Sequence, residues 1–166
     1  MNKSDFPYQL VVFLDRIPQI GEPVYAGENG WFAQVAIKRR FTCVDSDEES
    51  LCKMLGNYFQ DIEPFTVETT ELQSNERMPV RFIGVIQSDT IMNLHDNIIT
   101  LLGDAIISRF PERDGDNYLP HVTAEYHDDL VIDPDAYSHQ SYEIKSIWLL
   151  KDIEDANSIA YKEFLL

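Results

Sequence analysis

Two strand-like segments, far apart in the chain, constrain its fold more than any other feature. One is Tyr118-Leu119-Pro120-His121-Val122-Thr123-Ala124-Glu125-Tyr126; the other, an imperfect echo, is Phe32-Ala33-Gln34-Val35-Ala36-Ile37-Lys38-Arg39-Arg40-Phe41. In an extended strand alternate side chains share a face. His121, Thr123 and Glu125 are therefore expected on one face, with Val122, Ala124 and Tyr126 turned to the core. In the echo, Gln34, Ala36, Lys38 and Arg40 share a face opposite Val35, Ile37, Arg39 and Phe41. Set side by side, the two strands bring an imidazole, a hydroxyl, an amide and two cations to one groove. That combination suits a phosphate.

Charge limits what else the chain can bind. Twenty-nine acidic residues against thirteen basic ones give a net charge of −16, a field that repels polyanions at long range. Tracking a nucleic-acid backbone needs many Lys or Arg contacts, so extended nucleic-acid binding is not expected. Yet Lys38, Arg39 and Arg40 are consecutive. Two readings of that triplet stand: a local phosphate site, or an exposed strand end. Cys43 and Cys52 have no companion Cys or His at zinc-ligand spacing and read as small buried or half-buried apolar residues rather than a disulfide or a nucleophile. No apolar run is long enough to span a bilayer, and the stretch from Met1 to Asp5 lacks a signal-peptide shape. The expected address is cytoplasmic, with no membrane partner.

Along the 166 residues the pattern predicts one domain. Tyr8–Leu14 reads as a buried strand, 15–30 as a loop rich in Gly and Pro, and Trp31–Phe41 as the echo strand. Asp45-Ser46-Asp47-Glu48-Glu49 reads as a helix start whose stripe is Leu51, Met54, Leu55, Tyr58, Phe59 and Ile62. Pro64 ends that helix. Phe65–Leu72 and Val80–Gln87 read as strands joined by Gln73–Pro79, and a second helix is expected from about Asp89 to Phe110. The His121 strand follows, then an acidic, turn-rich stretch from Asp128 to Gln140. Ser141–Lys151 and Tyr161–Leu166 close the chain as strands. No Gly-rich phosphate loop follows a strand, and strands do not alternate with helices as in a doubly wound nucleotide fold. The class is α+β, built of two similar halves.

Several further side chains carry expectations of their own. His95 is read as a surface or boundary residue of the second helix, His127 as a loop histidine, and His139 as exposed. Glu125 shares the His121 face and has two readings, an auxiliary base or, in preference, a partner of Lys38 or Arg40 at the groove end. Tyr126 is expected in the core.

Pro120-His121-Val122-Thr123-Ala124, preceded by Arg81-Phe82-Ile83-Gly84-Val85 and the 94–106 helix, resembles the second motif of the 2H phosphoesterase superfamily, which includes the bacterial 2′-5′ RNA ligases. The resemblance covers most of the chain in element order. It implies a two-lobed α+β fold of antiparallel sheets with helices packed outside. It also implies two His-x-Thr motifs flanking a cyclic or 2′-5′ phosphodiester, with no metal or other cofactor. In that scheme one imidazole accepts a proton while the other donates one, and the threonines hold phosphate oxygens. Here Gln34-Val35-Ala36 stands where the family carries the first His and Thr, although Ile37-Lys38-Arg39-Arg40-Phe41 still resembles the tail of that motif. The carry-over gives His121 as general acid or base and Thr123 as phosphate ligand. Gln34, Lys38 and Arg40 would bind or polarise the phosphate of a small nucleotide or RNA terminus. Gln34 cannot exchange protons near neutral pH, so weakened catalysis and phosphate binding without turnover both remain open, as does a structural protein in which the groove has become core or an interface.

Overall fold

The computed structural model describes residues 5–45, 47–76, 78–153 and 157–166, with only the backbone described at 78 and 79. Ser46, within the expected first helix start, and the Met1–Ser4 part of the leader reading lie outside the described residues. The strands are β1 (Tyr8–Phe13), β2 (Gln34–Cys43), β3 (Phe65–Asn75), β4 (Met78–Val85), β5 (Ile106–Ser108), β6 (His121–Tyr126), β7 (Asp129–Leu130), β8 (Ser141–Ile144), β9 (Ser146–Asp152) and β10 (Ser158–Leu165). The helices are α1 (Glu48–Phe59), α2 (Asp89–Leu102) and the single turn α3 (Pro134–Tyr137).

All pairings are antiparallel, and the main order across the sheet is β10-β9-β1-β2-β6-β4-β3-β8. The two echo strands are thus neighbours at the centre, joined through Val35 opposite Val122. Strand β8 lies at one end of this order and β9 near the other, yet Lys145 alone separates them. One residue spans only about 3.5 Å, so the sheet must curl until its ends meet. The Lys145 carbonyl, accepting from Leu166 N at the end of the β10 side, fastens that seam. This is the expected α+β class, realised as one curled antiparallel sheet. The helices cover one face.

Helix α1 starts where the sequence reading puts it, because the Asp47 carboxylate accepts from Ser50 N and two acids fill the first turn. Leu51, Leu55 and Phe59 are its buried stripe. Its Glu48 side chain accepts from Tyr8, Tyr161 and Lys151, tying the helix start to the sheet. Helix α2 is shorter than expected. It stops at Leu102, where Gly103 takes φ 43°, and the β-branched Ile106-Ile107 joins the end of β2 as β5. Strands β3 and β4 run further toward each other than the expected Gln73–Pro79 connection allowed, and the 141–151 segment breaks at Lys145.

The alternation expected for β2 fails at two places. Opposite β1, Val12, Val11 and Leu10 pair with Val35, Ala36 and Lys38, so Ile37 is an extra residue. The next pair is Tyr8 with Phe41, so Arg39 and Arg40 together face Gln9. Two consecutive β-bulges result. The first turns both Ile37 and Lys38 to the helix-covered face, and the second turns both Arg39 and Arg40 to the other.

Side chains from two elements fix this irregular backbone. His95 of α2 is buried rather than at the surface; its Nδ1–H donates to the Ile37 carbonyl at 2.7 Å and its Nε2 accepts from Gly115 N at 3.0 Å. Tyr118 stacks on His95 with ring centres 3.9 Å apart and donates to the Ala36 carbonyl at 2.9 Å. Lys38 is 1% exposed, with Nζ donating to Ser108 at 2.6 Å and to Asp114 at 2.9 Å. Burial pushes the Lys38 ammonium below its usual pKa despite the pull of Asp114. The pair therefore serves geometry more than stability. Lys38→Met alone is expected to cost about 3 kcal/mol in urea unfolding, because Asp114 loses its partner. Adding Asp114→Leu should return stability close to the parent value.

Candidate functional site

On the face opposite the helices, the central strands open into a pocket of about 760 Å³. His121 and Thr123 line it from β6, Gln34, Ala36, Arg39 and Arg40 from β2, and Arg113 and Phe110 from the segment after β5. Of the expected site residues, His121, Thr123, Gln34 and Arg40 are brought together. Lys38 is not: the first bulge turns it to the other face, where it holds Asp114. Arg39, assigned to the core face by strict alternation, takes a place in the pocket instead. No sequence pattern announces a bulge here, since Ile37-Lys38-Arg39-Arg40 offers no glycine to mark one.

The pocket floor fixes His121. Its ring meets Phe82 edge-on with centres 5.2 Å apart, and Nδ1 lies 2.8 Å from the Leu119 carbonyl. A carbonyl only accepts, so Nδ1 carries the proton and Nε2 is left with its lone pair. The Arg39 Nη2, 3.4 Å from the same Nδ1, is then a neighbouring cation more than a hydrogen-bond partner. Burial is the largest effect on the imidazole and the Arg39 charge the next; together they lower its pKa to about 4, against a smaller opposing pull from Leu119. At neutral pH His121 is a neutral base.

Arg39 is itself costly to hold. Burial lowers its pKa and so does Arg113 nearby. Among the described residues no carboxylate lies within ion-pair distance of it. Arg40, by contrast, is committed to Asp152 and Ser158. The Gln34 amide donates to Tyr25 Oη at 2.5 Å, Tyr25 donates to Gln9 at 3.3 Å, and Gln34 Oε1 is buried with no donor among the described residues. Trp31 packs against Tyr25 at 4.7 Å and Tyr126 at 5.6 Å between ring centres, giving the same pocket an aromatic wall.

Other expectations are corrected by this geometry. Tyr126 is 43% exposed rather than core, because β6 ends there and turns through His127 and Asp128, both at positive φ, into β7. Glu125 pairs with Arg81 of the adjacent β4 at 3.1 Å, not with Lys38 or Arg40. His127 lies in a turn and lines the pocket mouth, and His139 is exposed, both in keeping with the sequence reading. Among the described residues no group of three or more His, Cys, Asp or Glu side chains is placed to hold a metal ion. Among the described residues no helix is long and apolar enough to cross a membrane. A second, more open hollow beside Arg16 and Phe32 gathers no imidazole or thiol.

Comparison with known proteins places the fold. No family model and no curated protein matches this chain by sequence. Solved structures do match over nearly the whole length. A phosphoesterase crystal structure aligns with TM-score 0.62 at 14% identity, covering 97% of this chain and 98% of that one. LigT of E. coli complexed with 3′-AMP aligns with TM-score 0.61 at 16% identity, covering 97% and 98%. TT0787 of Thermus thermophilus aligns with TM-score 0.61 at 12% identity, covering 96% and 97%. The fold expected from the His121 motif is the one present.

Proton NMR titration of the imidazoles should find His121 near pH 4. Arg39→Gln should raise that midpoint while leaving it below the ordinary value of about 6.5, because burial remains.

Proposed function

We propose that this chain is a 2H-type phosphoesterase of reduced power, acting on cyclic or 2′-5′ phosphodiesters of small nucleotides or RNA ends. The observation that carries the reading is the meeting of His121, Thr123, Gln34 and Arg39 at one pocket between two central strands. The likeness to LigT, which has been crystallised with 3′-AMP and with phosphate, supports a nucleotide phosphate as the ligand. His121 Nε2 takes the proton of an attacking water or hydroxyl, and the Thr123 hydroxyl holds a phosphate oxygen. Arg39 and Arg40 sit beside the charge that builds on the phosphoryl group. Gln34 orients a hydroxyl or water through hydrogen bonds but supplies no proton. The leaving oxygen lacks the second imidazole of the family scheme and takes its proton from water, a loss of roughly 10²–10⁴-fold.

A second reading, a nucleotide or phosphate binding module without turnover, is favoured by the low His121 pKa. A neutral imidazole is a weak base and holds no proton to give at pH 7.

Metal-free incubation with 2′,3′-cyclic AMP and a 2′-5′ dinucleotide separates the two. Slow hydrolysis by the parent, lost by about 10²-fold or more in His121→Ala, supports the enzyme. Gln34→His with Ala36→Thr should accelerate it. Equal inertness of parent and His121→Ala, with phosphate still raising the melting temperature, leaves the binding module. The rate in the free protein should rise with pH through about 4, as Nε2 loses its proton, and then stay level across neutrality.

A further inference from the structure

We infer that the pocket selects a phosphomonoester carrying a hydroxyl on the neighbouring carbon over the cyclic diester of the same nucleoside. This rests on the pocket being a nucleotide-phosphate site, as proposed above. It names which chemical form the remaining side chains fit.

The charge comes first. Arg39 is held in the pocket by the second bulge and lacks a carboxylate partner among the described residues. A half-buried guanidinium with no direct ion pair, only partly offset by Asp114 and Glu112 at longer range, is stabilised when an anion completes it, and its planar fork fits two phosphate oxygens. Arg113 lines the same pocket and adds to the positive field around Arg39. A cyclic diester offers these groups one negative charge. A monoester offers close to two at neutral pH, its second pKa being about 6.

The hydrogen-bonding groups make the same distinction. With Nδ1–H spent on the Leu119 carbonyl, His121 presents only the Nε2 lone pair. Gln34 spends an N–H on Tyr25 and keeps Oε1, a buried acceptor with no donor among the described residues. Two acceptors on a phosphate pocket call for donors. A cyclic 2′,3′-diester has none near its phosphorus, since both ribose oxygens are esterified. The ring-opened monoester has a free vicinal hydroxyl for Gln34. Only its minor monoanionic form carries a phosphate O–H for His121 Nε2, so at neutral pH the distinction rests on the vicinal hydroxyl and the second negative charge. Replacing His and Thr by Gln and Ala thus shifts the site from two proton-transfer groups toward recognition of the opened ester.

Calorimetric titration of the full chain at pH 7.5 tests this with 3′-AMP, 2′-deoxy-3′-AMP and 2′,3′-cyclic AMP, checking chromatographically that the cyclic ligand survives the experiment. The parent should bind 3′-AMP about tenfold tighter than the cyclic ester, since one added neutral hydrogen bond and the stronger attraction of a dianion to Arg39 and Arg113 together are worth about that. Gln34→Leu should remove the advantage of 3′-AMP over its deoxy analogue. Arg39→Gln should remove most of the advantage over the cyclic ester. Arg39→Lys, which keeps the charge without the fork, should retain part of it and guards against a folding defect. Cyclic ester binding as tightly as 3′-AMP overturns the inference while leaving the phosphate site intact. Failure of all three ligands to bind overturns both.

Discussion

The double bulge of β2 is the constraint on which the site depends. Inserting a residue at Ile37 and again between Lys38 and Phe41 exchanges the faces of Lys38 and Arg39 and leaves that of Arg40 unchanged. One cation enters an ion pair under the helices and two enter the pocket. A regular strand would have placed Lys38 beside His121 and hidden Arg39 in the core. The bulges persist because backbone groups they release are taken up elsewhere: the Ile37 carbonyl by His95 and the Ala36 carbonyl by Tyr118. Buried carbonyls left without donors would cost more than the irregularity itself.

The same interactions tie the sheet to the segment after β5. Lys38 reaches Asp114, His95 reaches Gly115, and the stacked Tyr118 leads directly into β6. Arg113 therefore hangs from an anchored loop, and the Leu119 carbonyl that sets the His121 tautomer is fixed by the following strand. Fold and site share one polar network. A change at Lys38 or His95 acts on the His121 pocket at second hand, through the loop and the bulge.

The outlines of this arrangement were legible in the sequence. The apolar stripe and acidic first turn of α1 marked a helix, and the matched spacing of 34–36 and 121–123 marked two adjacent strands. His121, Thr123 and Gln34 followed from that spacing. What could not be read was each departure from ideal period. A bulge without glycine leaves no local signature, so Lys38 and Arg39 were exchanged. The turn after Tyr126 uses His127 and Asp128 at positive φ, where glycine or asparagine would have advertised it. Helix α2 carried an apolar pattern past Gly103 because Ile106 of β5 also packs against the core. His95 looked like a surface residue because its partners are backbone groups distant in sequence.

The pocket gathers one imidazole, an amide and guanidinium groups. Binding an anion then works against the field that holds His121 neutral. Proton NMR of the His121 ring with and without inorganic phosphate measures this directly. If Arg39 and His121 share one oxyanion, saturating phosphate raises the titration midpoint well above about 4, since a neighbouring negative charge favours the imidazolium. A His121 midpoint and chemical shift indifferent to phosphate would contradict the shared site.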